Sequence, residues 1–380
     1  MQYIAPLLPA IRHSLHLSPA DLGWVIAAYS LPSLLVTVPL GVLADLWGGK
    51  RVLVACLILF GASGVATIWV TSFEQLIVLR VVQGIGNAAL ATLTISLLAS
   101  GLPPREAALS QGYRVVVGSG AEFVQPVLAA LILTWTGDWR LPFLLFLMPI
   151  GIGIWAVFGL RGGDTGAHGR QVLKTGFGHQ LGSALTEPAV LGVTAGGFAR
   201  WFIKYGFFAY VPLYLASQLN ASATEIGLIV GIPGLLSALA ASQAGRFGLG
   251  RPGRWALVVS LACLGAAMPG ITLLHSVGGA VGFSVLMGIA DGICGPLLNA
   301  YISFLPPAAV RTTVVSVSGV MRNFGKTAAP LLAGALVVPA GYTAALLAVG
   351  LSGLLAPAYL AGLFRPLRAE RAAAKPLPMP

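Results

Sequence analysis

The stretch LHLSPADLGWV, residues 15–25, returns as LNASATEIGLI at residues 219–229, an offset of 204. Ser18 stands over Ser222, Asp21 over Glu225 and Gly23 over Gly227. The same offset pairs Gly41 with Gly245, Gly84 with Gly288, Pro126 with Pro330 and Gly137 with Gly341, in a register that reads as unbroken. Both copies carry a Ser with an acid three residues on, the spacing of a helix-capping box, and Pro19 suits the first helical position. A chain duplicated along its whole length, each half a string of apolar helices, implies two pseudo-symmetric bundles around a site near the bilayer midplane.

Composition agrees with that layout. The chain is 57% hydrophobic and 9% charged, with a mean hydropathy of +0.89, whereas a soluble domain carries roughly a quarter charged residues. An all-α membrane protein is expected. The net charge of +11 does not point to nucleic acid, because the cations are scattered over short loops and helix interiors instead of forming one solvated face. Cys56, Cys263 and Cys294 sit in apolar runs without paired spacing, so they read as packing residues. Neither a disulfide framework nor a metal site is readable, and no cofactor motif appears. No secretory signal precedes the first segment, and the spans themselves are expected to direct insertion.

Eleven segments are long enough to cross the hydrocarbon, at approximately 21–44, 52–71, 74–100, 107–134, 139–160, 188–215, 225–245, 255–274, 279–304, 312–337 and 341–364. A twelfth, Met1 to Ile11, would rise only about 16 Å as helix. By the repeat Met1 corresponds to Tyr205, deep inside a later segment, so the reading expects helix 1 to be truncated, its first part missing; otherwise it is a half-span. The expected organisation is a six-helix bundle over 1–160, a linker over 161–187, a second bundle over 188–366 and a tail over 367–380. Counting Lys and Arg by loop, one side holds Lys50, Arg51, Arg105, Arg161, Arg170, Lys174, Arg246, Arg251, Arg254, Arg311, Arg365, Arg368, Arg371 and Lys375, the other only Arg12 and Arg140. The positive-inside rule then puts both termini in the cytoplasm, in a cell (plasma or inner) membrane.

GVLADLWGGKR, from Gly41, resembles the motif between helices 2 and 3 of the major facilitator superfamily. Gly41, Asp45, Gly48, Lys50 and Arg51 occupy its places, while Leu46 stands where a basic residue is common. The resemblance implies a tight cytoplasmic turn whose carboxylate pairs with a neighbouring helix end or Arg when the inner side is closed. In the second half position 249, opposite Asp45, is Leu, and sliding Gly48 onto Gly248 brings Gly245 there instead. RVVQGIGNAA resembles the helix 4 motif of the superfamily's drug/proton antiporters, carried by Arg80, Gln83, Gly84 and Gly86. TGDWRLPF before helix 6 is likewise similar to the superfamily. The antiporters' helix 5 signature is poorly kept: Gln125-Pro126 and Ala129-Ala130 replace its Gly-Pro and Gly-Gly, with Gly112 and Pro126 retained.

Ionisable groups inside a membrane cost several kcal/mol unless paired or hydrated, so they are functional candidates by default. They are the cations Arg80, Arg114, Arg200, Lys204, Arg322 and Lys326 and the acids Glu122 and Asp291. All but Arg80 and Arg114 fall in one layer, about 15–22 Å from a helix end. Arg200 with Lys204, and Arg322 with Lys326, share a helix face. Arg80 and Arg114 could instead bond carbonyls or stay near an interface, and Asp291 could be a structural partner of a cation. Trp24, Tyr29, Trp201, Tyr205 and Phe207 read as interface anchors or packing. Glu122 and Lys326 occupy one repeat position, and nearby cations favour an ionised carboxylate, so Glu122 can carry a proton only if Arg322 and Lys326 turn away.

The resemblance implies a secondary transporter working by alternating access. The expectation is proton-coupled efflux of a small organic or drug-like molecule by a monomer in the lipid bilayer. The cation surplus keeps open an organic-anion uptake or exchange carrier, whereas a non-transporting receptor on the same fold would call for elaborated loops. No nucleophile, base and orienting group recur at a readable spacing, so an enzyme is not expected.

Overall fold

The computed structural model describes residues 2–88, 90, 93–94, 104–159, 182–183, 185–306 and 311–364, and every regular element among them is helical. The expected tail, and the expected linker up to residue 181, lie outside the described residues. Seven helical stretches are long and apolar enough to cross a membrane: Pro19–Thr37, Gly49–Trp69, Leu141–Gly159, Ala223–Phe247, Arg251–Leu273, Val277–Phe304 and Val317–Leu363. The last holds two expected segments, because Arg311–Leu354 runs through Gly341, whose φ of +80° turns the chain. The expected segments missing from those seven are also helices, Phe73–Ala88, Pro104–Thr136 and Pro188–Gln218. The chain's first turns are a 3-10 helix Gln2–Leu7 and an α-helix Leu8–Ser14.

The 204-residue repeat is written in the backbone. Ser18 N–H donates to Asp21 Oδ2 at 2.9 Å while Asp21 N–H donates to Ser18 Oγ at 3.3 Å. Ser222 and Glu225 make the same two bonds at 2.8 and 3.3 Å. Just before these boxes His16 and Asn220 both turn left-handed, with φ of +53° and +50°, and Gly137 and Gly341 do so at +70° and +80°. The turn after Trp47 departs from the expected unbroken register. Gly48 (φ +90°) finds its equivalent in Gly248 (φ +58°), an offset of 200. The geometry picks the pairing that sets a glycine where the chain needs a left-handed residue, so the second copy is four residues shorter here.

Glycines set how closely the two parts of the chain approach. A methyl on Gly23 would lie 2.5 Å from the Pro330 carbonyl oxygen, and one on Gly227 would lie 3.0 Å from that of Pro126. These contacts are exchanged by the 204 offset. Gly227, Gly231 and Gly234 recur on one face of Ala223–Ala244 and pack on Pro104–Thr136, against Ala130 and Pro126, Phe123, and Glu122 respectively. Small residues let helix backbones meet closely where lipid removes any hydrophobic drive. Tyr210 Oη donates to the carbonyls of Pro19 at 3.2 Å and Pro330 at 3.0 Å. Thr134 and Thr224 hydroxyls meet at 3.1 Å, and Arg12 Nη1 reaches Tyr342 Oη at 3.3 Å. The Gly23, Gly227, Tyr210, Thr134–Thr224 and Arg12 contacts lie at the end that carries the capping boxes, which they close. Trp135, Trp155 and Phe158 project outward, 63–85% exposed, as side chains facing acyl chains do.

Candidate functional site

The helix Pro188–Gln218 supplies the centre of the site. Arg200 and Lys204 lie one turn apart, with Trp201 and Tyr205 beside them. Gly295 opposite makes room: a methyl there would sit 2.8 Å from Arg200 Nη2. One turn before Gly295, Asp291 is 2% exposed and accepts from Arg200 Nε at 2.6 Å and from Lys204 Nζ at 3.1 Å. Ser237 Oγ completes its shell at 3.1 Å. A carboxylate so deeply buried persists as a charge only with such paired donors. Lys204 Nζ also holds Glu122 Oε2 at 3.0 Å, and Glu122 is 29% exposed. One ammonium thus joins a carboxylate of the first copy to one of the second.

Arg322 and Lys326 have a different environment. Arg322 Nη1 donates to Asn299 Oδ1 and Lys326 Nζ to Asn323 Oδ1, each at 3.0 Å. Neither has a carboxylate within ion-pair distance among the described residues. Lys326 Nζ stands 4.3 Å over the Trp201 ring and 6.0 Å from that of Tyr205. Arg200 and Lys204 also approach Trp201, at 5.1 and 5.3 Å, so three cations share one indole. Arg200, Trp201, Asn299, Ser318 and Arg322 line a single small cleft.

The structure brings together six of the eight intramembrane candidates: Glu122, Arg200, Lys204, Asp291, Arg322 and Lys326. Glu122 meets Lys204 where the sequence reading set it beside Arg322 and Lys326. Arg80, which the sequence reading left outside that layer, does not join the group. Buried to 3% exposure, it donates from Nη1 to Gln83 Oε1 at 2.8 Å and lies 5.2 Å over Phe143. Gly84 of the same motif packs on the Tyr29 carbonyl and Pro32. The Arg114 side chain lies outside the described residues.

Of the Gly41 motif, Gly48 makes the left-handed turn and Lys50 Nζ donates to the Val157 carbonyl at 2.7 Å. Arg51 is exposed. Nothing beyond a helical backbone is described for Gly41 and Asp45. Trp24 is half exposed, and Tyr29, Tyr205 and Phe207 are buried, in keeping with anchoring and packing. Trp201, read as an anchor, instead sits beneath three cations. Its place between Arg200 and Lys204 in the sequence was the available signal. Asn299, Asn323 and Ser237 were missed because uncharged polar residues do not stand out in an apolar helix.

A multi-pass helical membrane protein, with paired charges at the junction of two repeated helical sets, is the class these observations define. The sequence matches the Major Facilitator Superfamily over residues 1–330 and again over 193–379. The chain belongs to that superfamily. It is 31% identical over 149 residues to the drug efflux pump JefA of Mycobacterium tuberculosis, covering 39% of this chain and 29% of that protein. It is 31% identical over 150 residues to the lincomycin resistance protein of Streptomyces lincolnensis, covering 40% and 31%. The matched region thus spans under a third of either relative's length. Among solved structures, the fold resembles a bacterial homologue of the human lysosomal transporter Spinster, in an inward-facing and unoccupied conformation, with a TM-score of 0.74, 18% identity, and 96% and 93% coverage.

Proposed function

We propose that this protein is a secondary transporter that exports a small organic molecule in exchange for protons. Two bundles, 1–160 and 188–366, rock about the charged layer. The observation that carries the reading is Lys204 held between Glu122 and Asp291. Protonating Glu122 removes its hold on Lys204 and weakens the seam that closes the end bearing the capping boxes. Asp291, gripped by Arg200, Lys204 and Ser237, stays as the fixed counter-ion. With both termini cytoplasmic the described state is closed outward, ready to load from the inside. Relatives named as a drug efflux pump and a lincomycin resistance protein support export.

The test is flux in proteoliposomes with a panel of neutral, cationic and anionic small organic compounds, with and without a pH gradient. A gradient should accelerate wild-type export and leave Glu122→Gln unmoved. Carrier flux indifferent to the gradient in wild type refutes proton exchange through this site. Arg322 and Lys326, with amides and an indole for partners, favour a second reading, organic-anion exchange. That reading requires trans-stimulation by anions alone, at equal pH on both sides.

A further inference from the structure

Arg200 and Arg322 reach one cleft from two different helices, and Asn299 and Ser318 line it with them. Both carboxylates of the charged layer are spent elsewhere, Asp291 on Arg200 and Lys204 and Glu122 on Lys204. Among the described residues the surplus of positive charge therefore falls on Arg322 and Lys326. Arg322 gives Nη1 to the Asn299 side-chain oxygen, which leaves its remaining N–H groups, and the amide hydrogens of Asn299, as donors. Arg200 meets Asp291 through Nε and keeps its Nη groups. Ser318, 3% exposed, adds a hydroxyl. Two guanidinium groups at one cleft inside a membrane repel each other, and an anion between them replaces that repulsion with two attractions.

Size decides which anion that is. The cleft holds about 10 Å³, roughly the space of a single water. Val193, Leu298 and Ile302 close its apolar side, so it offers no room for the carbon and both oxygens of a carboxylate, and less for sulfate or phosphate. A monatomic anion is the class that fits. Chloride is slightly larger than water, and the long Arg322 side chain can yield by that difference. We propose that this cleft is a chloride site, in which Arg200 and Arg322, with the Asn299 amide and the Ser318 hydroxyl, hold one chloride that offsets part of the surplus charge. Lys326 lies outside it, over Trp201. The site does not rest on the exchange reading above.

Direct binding tests it in the full chain, purified in detergent and titrated with radioactive chloride at constant ionic strength, with gluconate as the replacing anion. One chloride per chain should bind saturably; bromide should displace it, and acetate and sulfate should not. Arg322→Gln should weaken chloride binding by about tenfold or more, as the loss of one charge-assisted contact implies. Asn299→Asp sets a fixed carboxylate beside Arg322. It should abolish chloride binding and raise the melting temperature in gluconate to that of the wild type in chloride. The absence of saturable binding, displacement by acetate or sulfate as readily as by bromide, or undiminished binding in folded Arg322→Gln overturns the proposal. Should Arg322→Gln fail to fold, the anion series and Asn299→Asp decide, and chloride retained by Asn299→Asp overturns it. The measurement uses neither gradient nor flux, so its failure leaves proton exchange standing, and the failure of exchange leaves this site standing.

Discussion

Glu122→Gln keeps the shape of the side chain and removes only its charge, so it isolates the contribution of the Lys204 contact to holding the closed face shut. At the observed 3.0 Å, two unit charges attract by about 1.4 kcal/mol in bulk water and about 5.5 kcal/mol at an effective dielectric of 20. Glu122 is 29% exposed, so the pair belongs near the lower end, about 2 kcal/mol. If the pair exists only when the face is closed, its loss shifts the open/closed equilibrium by about 30-fold, and a face closed nine-tenths of the time becomes closed roughly a quarter of the time. Nitroxides at His13 and Gln218, both exposed near that face, report the change by pulsed electron spin resonance, in a background with Cys56, Cys263 and Cys294 replaced by Ala. Combining Glu122→Gln with Lys204→Gln should show a coupling of about the same 2 kcal/mol. A distance distribution for Glu122→Gln that matches the parent would refute the reasoning, since the ion pair would then not distinguish the two states.

Further substitutions follow from named contacts. Gly23→Val places branched carbon against the Pro330 carbonyl and Tyr210 Oη; overpacking of about 1–3 kcal/mol should depopulate the closed state and lower flux, whereas Ala at exposed Gly118, which meets nothing within 4 Å, should leave flux unchanged. Ser18→Ala and Ser222→Ala each break one capping box and should cost about 1 kcal/mol, additively, as read from thermal unfolding in detergent. Lys326→Met removes the cation over Trp201 and should raise KM for an anionic substrate by about tenfold with a small effect on a neutral one; equal effects on both would assign Lys326 to packing.

Much of this architecture was legible because duplication leaves marks that do not depend on packing. The two capping boxes, the left-handed residues before them and the Gly–Pro contacts all recur at one offset, so the repeated frame could be read from Leu15–Val25 outward. The charged layer was legible for a related reason: an ionisable residue in an apolar helix has few places to go, and six of the eight found one another. What escaped the sequence was partner choice. Whether Glu122 meets Lys204 or Lys326 depends on how three separate helices pack, which no linear pattern encodes. The slip that matches Gly48 with Gly248 could be written as an alternative alignment, but residues on both sides return to the 204 register, so the backbone torsions were needed to choose it. Arg80 was singled out by its motif and kept out of that layer, but its packing against Phe143, from a distant segment, could not be read from the sequence.

The frame is symmetric but the chemistry is not, and that asymmetry tests whether the bundles move as rigid bodies. The seam between Ala223–Ala244 and Pro104–Thr136 contains Glu122. At the same repeat position the opposite seam has Lys326, beside the Thr327–Ser30 hydroxyl contact at 3.1 Å. Protonation of Glu122 therefore acts on one seam alone. Spin labels at Thr134 and Thr224 span the acidic seam, and labels at the repeat-equivalent positions Val338 and Ala20 span the other. If 1–160 and 188–366 are rigid, lowering the pH should lengthen both distances together, and Glu122→Gln should abolish the response of both. Lengthening across Thr134–Thr224 with no change across Ala20–Val338 would mean that the helices part locally, and two rocking bundles would no longer describe the motion. A response that survives in Glu122→Gln would place the proton elsewhere while leaving the rigid-body reading intact.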